Sequence, residues 1–364
     1  MEYRKLPHGN EKISVLGFGT SSIGEASEGE IIATVQKAID HGINYFDLAS
    51  GHANTFAAFG KAIQEKREQI YLQIHFGANY ETGEYGWTTN LAKIKASVKW
   101  QLEMLQTDYI DFGFIHCLDE LADLQAVKDA GIIDYLLELK QKGIVRHLGL
   151  SSHTPALVNQ VLDMKIIDMV MFSINPAYDH HHGDYAIGET DERLDLYKRC
   201  EKEGVAISVM KAFSAGQLLD ANKSPFKYAL THSQCIQYAL DKPGVVTVLP
   251  GIRNHQDLDD VLKYLDASDS EKDYSIIASF NQVEHLGNCV YCKHCHPCPA
   301  KLDIALINKY YDLALLGDTL AKDHYLHLEK KASDCLKCGH CNHRCPFKVD
   351  QMARMDEIAT YFGV

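Results

Sequence analysis

The chain has 364 residues, of which 46% are hydrophobic and 23% charged, a composition typical of a globular protein with one large and one small domain. Its 36 basic and 49 acidic residues leave a net charge of −13, which repels phosphate backbones and argues against a nucleic-acid partner. No apolar run approaches the roughly 20 residues that span a bilayer, and the N-terminal sequence lacks the apolar core of a signal peptide. We therefore expect a cytoplasmic location and no membrane partner.

The first 266 residues predict a barrel. Residues 3–14 contain Pro7, Gly9 and Asn10 and predict a short hairpin that closes the barrel floor. From residue 15 onward, short apolar runs alternate with longer amphipathic stretches, which predicts parallel strands joined by crossover helices. Eight such units over about 250 residues favour a (β/α)8 TIM barrel over a doubly wound open sheet. The predicted strands are residues 15–19, 44–47, 70–75, 109–116, 145–151, 168–174, 205–210 and 245–250. The predicted helices include residues 31–41, 55–64, 91–105, 121–141 and 192–203.

The pattern changes after residue 266. A polar stretch at residues 267–273 leads us to divide the chain into a barrel of residues 1–270 and a small helical domain of residues 271–364. Eight of the 11 cysteines lie in this second part, in two runs separated by residues 302–331, which are predicted to be helical. In a reducing compartment, closely spaced cysteines indicate bound metal rather than disulfides.

The two cysteine runs predict iron–sulfur clusters. The first run is Cys289, Cys292, Cys295 and Cys298 before Pro299, and the second is Cys335, Cys338, Cys341 and Cys345 before Pro346. In two-cluster ferredoxins the fourth cysteine of each run binds the other cluster. This rule predicts one 4Fe-4S cluster on Cys289, Cys292, Cys295 and Cys345, and another on Cys335, Cys338, Cys341 and Cys298. The first run is one residue shorter than the usual motif, and structural zinc sites are the alternative. We expect an α-helical, ferredoxin-like module that exchanges single electrons with an external electron-transfer partner.

Several segments of the first part resemble the aldo/keto reductase family. They are GINYFDLASG, FGKAI, LQTDYIDFGFIH, VRHLGLSSHTP, FSINPAYD, GVAISVMKAFSAGQLL and VTVLPGIRNHQDLDDVL. With the cysteine runs, the whole chain resembles the branch of that family that carries a C-terminal 4Fe-4S domain. The resemblance implies a (β/α)8 barrel and an oxidoreductase that acts on a small-molecule carbonyl substrate, usually with NADPH.

The family's active site is a tetrad of Asp, Tyr, Lys and His. The resemblance puts the Asp at Asp47 and the His at His116, whereas the Tyr and Lys positions hold His52 and His75. All four follow or end neighbouring predicted strands, so we expect them to share one small volume at the barrel mouth. Three interpretations stay open: an imidazolium replaces the Tyr as proton donor; His52, His75 and His116 bind a divalent metal; or the histidines line a site that has lost its tetrad.

The resemblance also implies where a nicotinamide cofactor would bind. Ser151 and Ser152 would contact the carboxamide, Phe213 would stack on the ring, and Gly251 and Arg253 would approach the phosphates. A nicotinamide transfers two electrons as hydride, whereas a cluster carries one electron, so coupling them needs a species such as a flavin or a redox metal. NADP(H), FMN and a divalent metal at the barrel mouth are therefore alternatives.

Our leading hypothesis is an iron–sulfur oxidoreductase that converts a small carbonyl-type substrate at a histidine-rich site. The competing hypotheses are an NADPH-dependent carbonyl reductase with structural clusters, a metal-dependent enzyme that is not a reductase, and an electron carrier with a vestigial barrel.

Overall fold

Eight parallel strands form a barrel in the computed structural model, which describes residues 1–183, 185–279, 289, 295, 297–315, 321–345 and 348–364. Each barrel strand pairs with the next along the chain, and bridges from Leu16 to Val248 and from Gly19 to Gly251 join the first strand to the last. The strands are β1 (Phe18–Gly19), β2 (Tyr45–Asp47), β3 (Tyr71–Phe76), β4 (Ile110–Ile115), β5 (Val145–Ser152), β6 (Met169–Ser173), β7 (Ala206–Met210) and β8 (Val245–Val248). This confirms the predicted (β/α)8 barrel, and the open sheet was the wrong alternative.

Helices surround the barrel and continue beyond it. Around the barrel lie α1 (Glu28–Asp40), α2 (Asn54–Ile63), α3 (Leu91–Leu105), α4 (Leu121–Asp129), α5 (Ile132–Gln141), α6 (Pro155–Asp163), α7 (Pro176–Asp179), α8 (Thr190–Glu203), α9 (His232–Leu240) and α10 (His255–Leu262). They are followed by α11 (Asp269–Lys272), α12 (Ile304–Leu315), α13 (Ala321–His327), α14 (His340–Arg344) and α15 (Gln351–Phe362). In the described part of the chain, no helix has the length and apolar character needed to cross a membrane.

One predicted helix is two helices. The expected helix over residues 121–141 breaks between α4 and α5, where Gly131 has a φ of +70°. That left-handed backbone suits glycine and cannot continue a right-handed helix.

A hairpin at the N-terminus closes the barrel floor. Strand Tyr3–Lys5 pairs antiparallel with strand Lys12–Ser14, and the side chains of Leu6 and Ile13 are completely buried in the barrel interior. The guanidinium of Arg4 donates hydrogen bonds of 2.8 Å to the carbonyl oxygens of Leu240 and Val245. The predicted floor hairpin is therefore present.

A second hairpin lies at the opposite end, the barrel mouth. Strands Ala78–Asn79 and Gly86–Trp87 pair antiparallel directly after β3. The backbone of the turn pairs with the loop after β2, because Tyr85 N donates to Gly51 O and Ala53 N donates to Gly83 O, both at 2.9 Å. This pairing holds the residues of the second hairpin over the mouth.

The C-terminal helices cover the same mouth. Tyr178 and Tyr185, from the loop after β6, share an apolar core with Ile304, Ile307 and Tyr310 of α12. Trp87 N also donates to Asp323 Oδ2 at 2.7 Å. The C-terminal ends of the barrel strands therefore face α12 and α13, which lie in the spacer predicted to be helical. Residues 316–320 of that spacer are outside the described part.

Candidate active site

Asp47 and His75 form the deepest part of the site. Both side chains are buried, and His75 Nε2 lies 2.6 Å from Asp47 Oδ1. The same carboxylate oxygen accepts a 2.9 Å hydrogen bond from Gln73 Nε2, and Tyr45 OH donates to Gln73 Oε1 at 2.5 Å. Residues 73 and 75 point into the barrel together because side chains alternate along a strand. The sequence therefore assembles this pair through strand register.

His116 and Tyr85 extend the pair toward the mouth. His116 Nδ1 lies 2.8 Å from His75 Nδ1, and His116 Nε2 lies 2.6 Å from the hydroxyl of Tyr85. Burial, reinforced by the nearby charges of His75 and His324, holds the pKa of His116 well below its usual range. The result is a hydrogen-bonded chain of four side chains, which we call the relay: Tyr85, His116, His75 and Asp47.

His52 is not part of the relay. Its backbone pairs with Glu84, and its ring packs beside Gly24, where an added Cβ would lie 2.8 Å from His52 Cδ2. The structure thus brings together Asp47, His75 and His116, and among the described residues no hydrogen bond joins the side chain of His52 to them. That all four share one volume, and that the three histidines bind a divalent metal, stay predictions.

Tyr85 is the residue that the sequence did not reveal. It lies in the second hairpin, and no motif marks it. Residues 77–84 separate it from the end of β3, so its place depends on how the hairpin folds back onto residues 51–53. The structure therefore supplies a tyrosine hydroxyl from a different loop than the family tetrad uses.

A second buried polar group lies beside the relay. Asp119 Oδ2 is 2.9 Å from His153 Nδ1, and Asp119 Oδ1 accepts a 2.6 Å hydrogen bond from His153 N. Lys309 of α12 reaches into the same space, with Nζ 4.0 Å from Asp119 Oδ2. Cys117, Asp119 and His153 have potential ligand atoms within 4.8 Å of one another. A lysine of the C-terminal part thus enters the barrel site, which the sequence did not predict.

The residues predicted to bind the nicotinamide cofactor differ in their exposure and in the partners they already have. Ser151 and Ser152 are buried at the end of β5, but Ser152 Oγ already donates to Asp119 Oδ1 at 3.3 Å. Phe213 is half-buried, with its ring edge-on to His232 at 4.9 Å. After β8, Gly251 is exposed and has open space next to the hydroxyl of Ser22, where an added Cβ would lie 3.6 Å from Ser22 Oγ.

Arg253 lies beside Gly251 but is already bound. Its Nε lies 2.7 Å from Asp257 Oδ2 and its NH2 group 3.0 Å from Asp257 Oδ1. This two-point ion pair raises the pKa of Arg253 and holds its guanidinium over the first turn of α10.

Four of the predicted cluster ligands line one cavity. They come from both cysteine runs and are Cys298, Cys335, Cys338 and Cys341. Most of the remaining lining is apolar, including Leu302, Ile304, Met352 and Met355, and His340 also lines the cavity. Of the other set, Cys289, Cys295 and Cys345 are described, whereas Cys292 and Pro346 lie outside the described residues. All the described cysteines are free of disulfides.

Comparisons with known proteins identify the first part of the chain. The model of the aldo/keto reductase family matches residues 15–282. The chain is 28% identical to an uncharacterized oxidoreductase, YqkF, of Bacillus subtilis over 277 residues, which cover 69% of this chain and 87% of that protein. It is 26% identical to L-galactose dehydrogenase of Arabidopsis thaliana over 285 residues, or 69% of this chain and 84% of that enzyme.

Solved structures share the fold. The holo form of aldo-keto reductase AKR11C1 from Bacillus halodurans superimposes with a TM-score of 0.62 at 23% identity, covering 78% of this chain and 97% of that one. An aldo-keto reductase from Klebsiella pneumoniae in complex with NADPH gives a TM-score of 0.54 at 18% identity, covering 74% of this chain and 93% of that one. Since the family model spans most of the chain, the protein belongs to the aldo/keto reductase family, whose members are oxidoreductases.

Proposed function

We propose that this protein is an iron–sulfur oxidoreductase that interconverts a carbonyl group and an alcohol on a small substrate, with Tyr85 as the group that exchanges the proton. The relay carries this proposal. It joins a hydroxyl at the barrel mouth to a buried carboxylate through two imidazoles, with successive separations of 2.6, 2.8 and 2.6 Å. Each separation is that of a short hydrogen bond.

In alcohol oxidation the relay acts as a base. With both histidines neutral and Asp47 a carboxylate, Tyr85 O–H donates to His116 Nε2, His116 Nδ1–H donates to His75 Nδ1, and His75 Nε2–H donates to Asp47. The substrate hydroxyl gives its proton to the Tyr85 oxygen, and each proton in the relay moves one bond toward Asp47. The hydrogen on the alcohol carbon leaves as a hydride, which NADP⁺, when bound, would accept. The low pKa of His116 favours this arrangement, because His116 carries no second proton at rest.

In carbonyl reduction the same groups act as an acid. If His75 is an imidazolium paired with Asp47, its Nδ1–H donates to His116, and His116 Nε2–H donates to the Tyr85 oxygen. The Tyr85 proton then moves to the carbonyl oxygen as the carbonyl carbon accepts a hydride, which NADPH, when bound, would supply. Replacement protons follow through His116 and His75. His75 thus lies beside Asp47, where the family tetrad uses a lysine.

NADP(H), when bound, supplies or accepts a hydride. Gly251 is exposed and would approach a phosphate group. At the start of α10, Arg253 N already donates to Asp257 Oδ2 and Asp257 N to Asn254 Oδ1, both at 3.0 Å. Arg253 would have to exchange its ion pair with Asp257 to bind a 2'-phosphate. Ser151 at the end of β5 remains the residue for the carboxamide.

The cysteine cavity supports an iron–sulfur site. Four thiols and an apolar wall are the donor set of a 4Fe-4S cluster, and the cavity combines Cys298 of the first run with three cysteines of the second, as the crossed assignment predicts. When bound, a cluster supplies one electron at a time. Ile304 lines the cavity and begins the helix that carries Lys309, and five helical residues rise about 7.5 Å. The cavity is therefore close to the barrel site.

Anaerobic purification tests both halves of the proposal. We expect about eight iron and eight sulfide per chain if both clusters form. Carbonyl reduction is then measured with NADPH and, separately, with a chemically reduced viologen as the electron donor. Turnover with viologen that is lost in Cys341→Ser supports electron delivery through the cluster. Turnover with NADPH that is unchanged in Cys341→Ser supports structural clusters. Zinc in place of iron would refute the iron–sulfur assignment.

A further inference from the structure

Two buried polar atoms beside the relay lack hydrogen-bond partners among the described residues. They are Lys309 Nζ and His153 Nε2, and their side chains are only 3% and 4% exposed. The Lys309 ammonium has an ion pair with Asp119 at 4.0 Å but donates no hydrogen bond to a described residue, so the hydrogen bonds it made to water are not replaced. Both atoms lie where the C-terminal helix α12 meets the end of β5. Two neighbouring groups with unmet hydrogen bonds indicate a shared ligand.

The protonation of His153 defines what its free nitrogen requires. Burial lowers the pKa of His153 to about 4, against the opposing charge of Asp119, so the ring is neutral near pH 7. Its Nδ1 faces Asp119 Oδ2 at 2.9 Å and therefore carries the hydrogen. His153 Nε2 is then a lone pair that accepts a hydrogen bond, and its natural partner is an O–H group.

The charge of this group favours an anion. Burial would raise the pKa of Asp119, but its contacts with His153, which include two hydrogen bonds, and the charge of Lys309 bring it well below its usual range, so Asp119 is a carboxylate. Lys211 and Lys309 lie over the ring of Tyr185, with Nζ 4.8 and 4.7 Å from its centroid. Lys309 Nζ makes no hydrogen bond to a described residue although the Asp119 carboxylate lies 4.0 Å away, so its ammonium can still donate to an anion.

The group lies within reach of the relay. His116 directly follows β4 and His153 directly follows β5, and adjacent strands are about 4.8 Å apart. Leu118 N donates to Ser151 O at 3.0 Å, so the two strands stay paired beyond their ends. Lys309 lies beside Asp119 and His153, and Tyr85 bonds to His116, so the two groups lie over adjacent strand ends.

We propose that the substrate is a hydroxylated monocarboxylic acid, whose carboxylate binds Lys309 and whose neighbouring hydroxyl donates to His153 Nε2. This inference rests on the proposed function, since it adds the substrate class to the same site. The reacting alcohol or carbonyl lies further along the carbon chain, at Tyr85. Lys309 belongs to the C-terminal domain, so that domain takes part in substrate recognition as well as in electron transfer. Cys117, Asp119 and His153 could also hold a metal cation. The ammonium of Lys309 would repel such a cation, because it lies 4.0 Å from the Asp119 carboxylate.

Binding by calorimetry tests this inference without turnover. The probe is gluconate, a monocarboxylate with five hydroxyls, and sorbitol is the matched neutral polyol. The proteins are the wild type, Lys309→Met, and Lys322→Met as a control at an exposed lysine on α13. We expect gluconate to bind the wild type and Lys322→Met equally and Lys309→Met at least tenfold more weakly. Sorbitol should bind all three weakly.

Equal gluconate affinity in Lys309→Met and the wild type would overturn the inference. So would equal affinity for sorbitol and gluconate in the wild type, or stoichiometric zinc bound in a manner that His153→Gln abolishes. The Tyr85→Phe variant separates the two proposals. If Tyr85→Phe binds gluconate like the wild type and also turns over substrate like the wild type, the relay proposal fails and the substrate-class inference stands.

Discussion

Removing one oxygen atom from Tyr85 tests the relay directly. Tyr85→Phe keeps the ring, which packs edge-on against His116 at 5.5 Å, but removes the hydroxyl that lies 2.6 Å from His116 Nε2. A positioned proton donor contributes about 100- to 10,000-fold to rate, so we expect kcat/KM to fall by that factor, or about 3–5 kcal/mol in transition-state free energy. The unpaired His116 nitrogen should cost a further 1–3 kcal/mol, approximately, in the free energy of unfolding.

The assay is steady-state carbonyl reduction under anaerobic conditions, with stability measured by urea denaturation. Tyr80→Phe is the matched control, because Tyr80 is also buried near the mouth and its hydroxyl donates to Ser50 O at 3.0 Å, away from the relay. Both variants lose one hydrogen bond, but only Tyr85→Phe should lose turnover. A kcat/KM for Tyr85→Phe within threefold of that for Tyr80→Phe would refute the role of Tyr85.

Three further changes test the site and the packing around it. His75→Ala leaves the buried Asp47 without its imidazole partner, so we expect a loss of about 3 kcal/mol in the free energy of unfolding, and unchanged stability in urea would contradict the pairing. Folding lowers the pKa of His153 from 6.5 to about 4, so on acidification the unfolded chain takes up this proton at a higher pH than the folded chain. The free energy of unfolding should therefore fall by about 3 kcal/mol between pH 6.5 and 4. His153→Gln should make the free energy of unfolding less dependent on pH in this range. An equally steep pH profile in the variant would mean that another group causes the decline. Gly149→Ala would put a Cβ 2.3 Å from the ring of Phe114, and we expect a loss of about 1–3 kcal/mol that thermal unfolding should detect.

The barrel itself was predictable from residue patterns. Seven of the eight strands lie within one or two residues of their predicted positions, and the first begins three residues later than predicted, at Phe18. A strand buried on both faces is a short apolar run whose ends are polar or turn-forming. The one misjudged element, the helix over residues 121–141, contains a single glycine whose conformation no periodicity reveals. The local pattern of apolar and polar residues therefore predicts the order of the strands and helices. It does not predict the helix break at Gly131, which depends on that residue's left-handed backbone.

The sequence alone determined the family, the barrel, the proximity of Asp47, His75 and His116, and the cysteine spacing, because each depends on strand order or on neighbours in the chain. Tertiary structure alone decided that Tyr85 completes the relay and that Lys309 reaches Asp119 from 190 positions away in the chain. Contacts of that kind arise when loops and a separate domain pack over the mouth. Their energy depends on shape and charge in three dimensions, and no local pattern of residues encodes it.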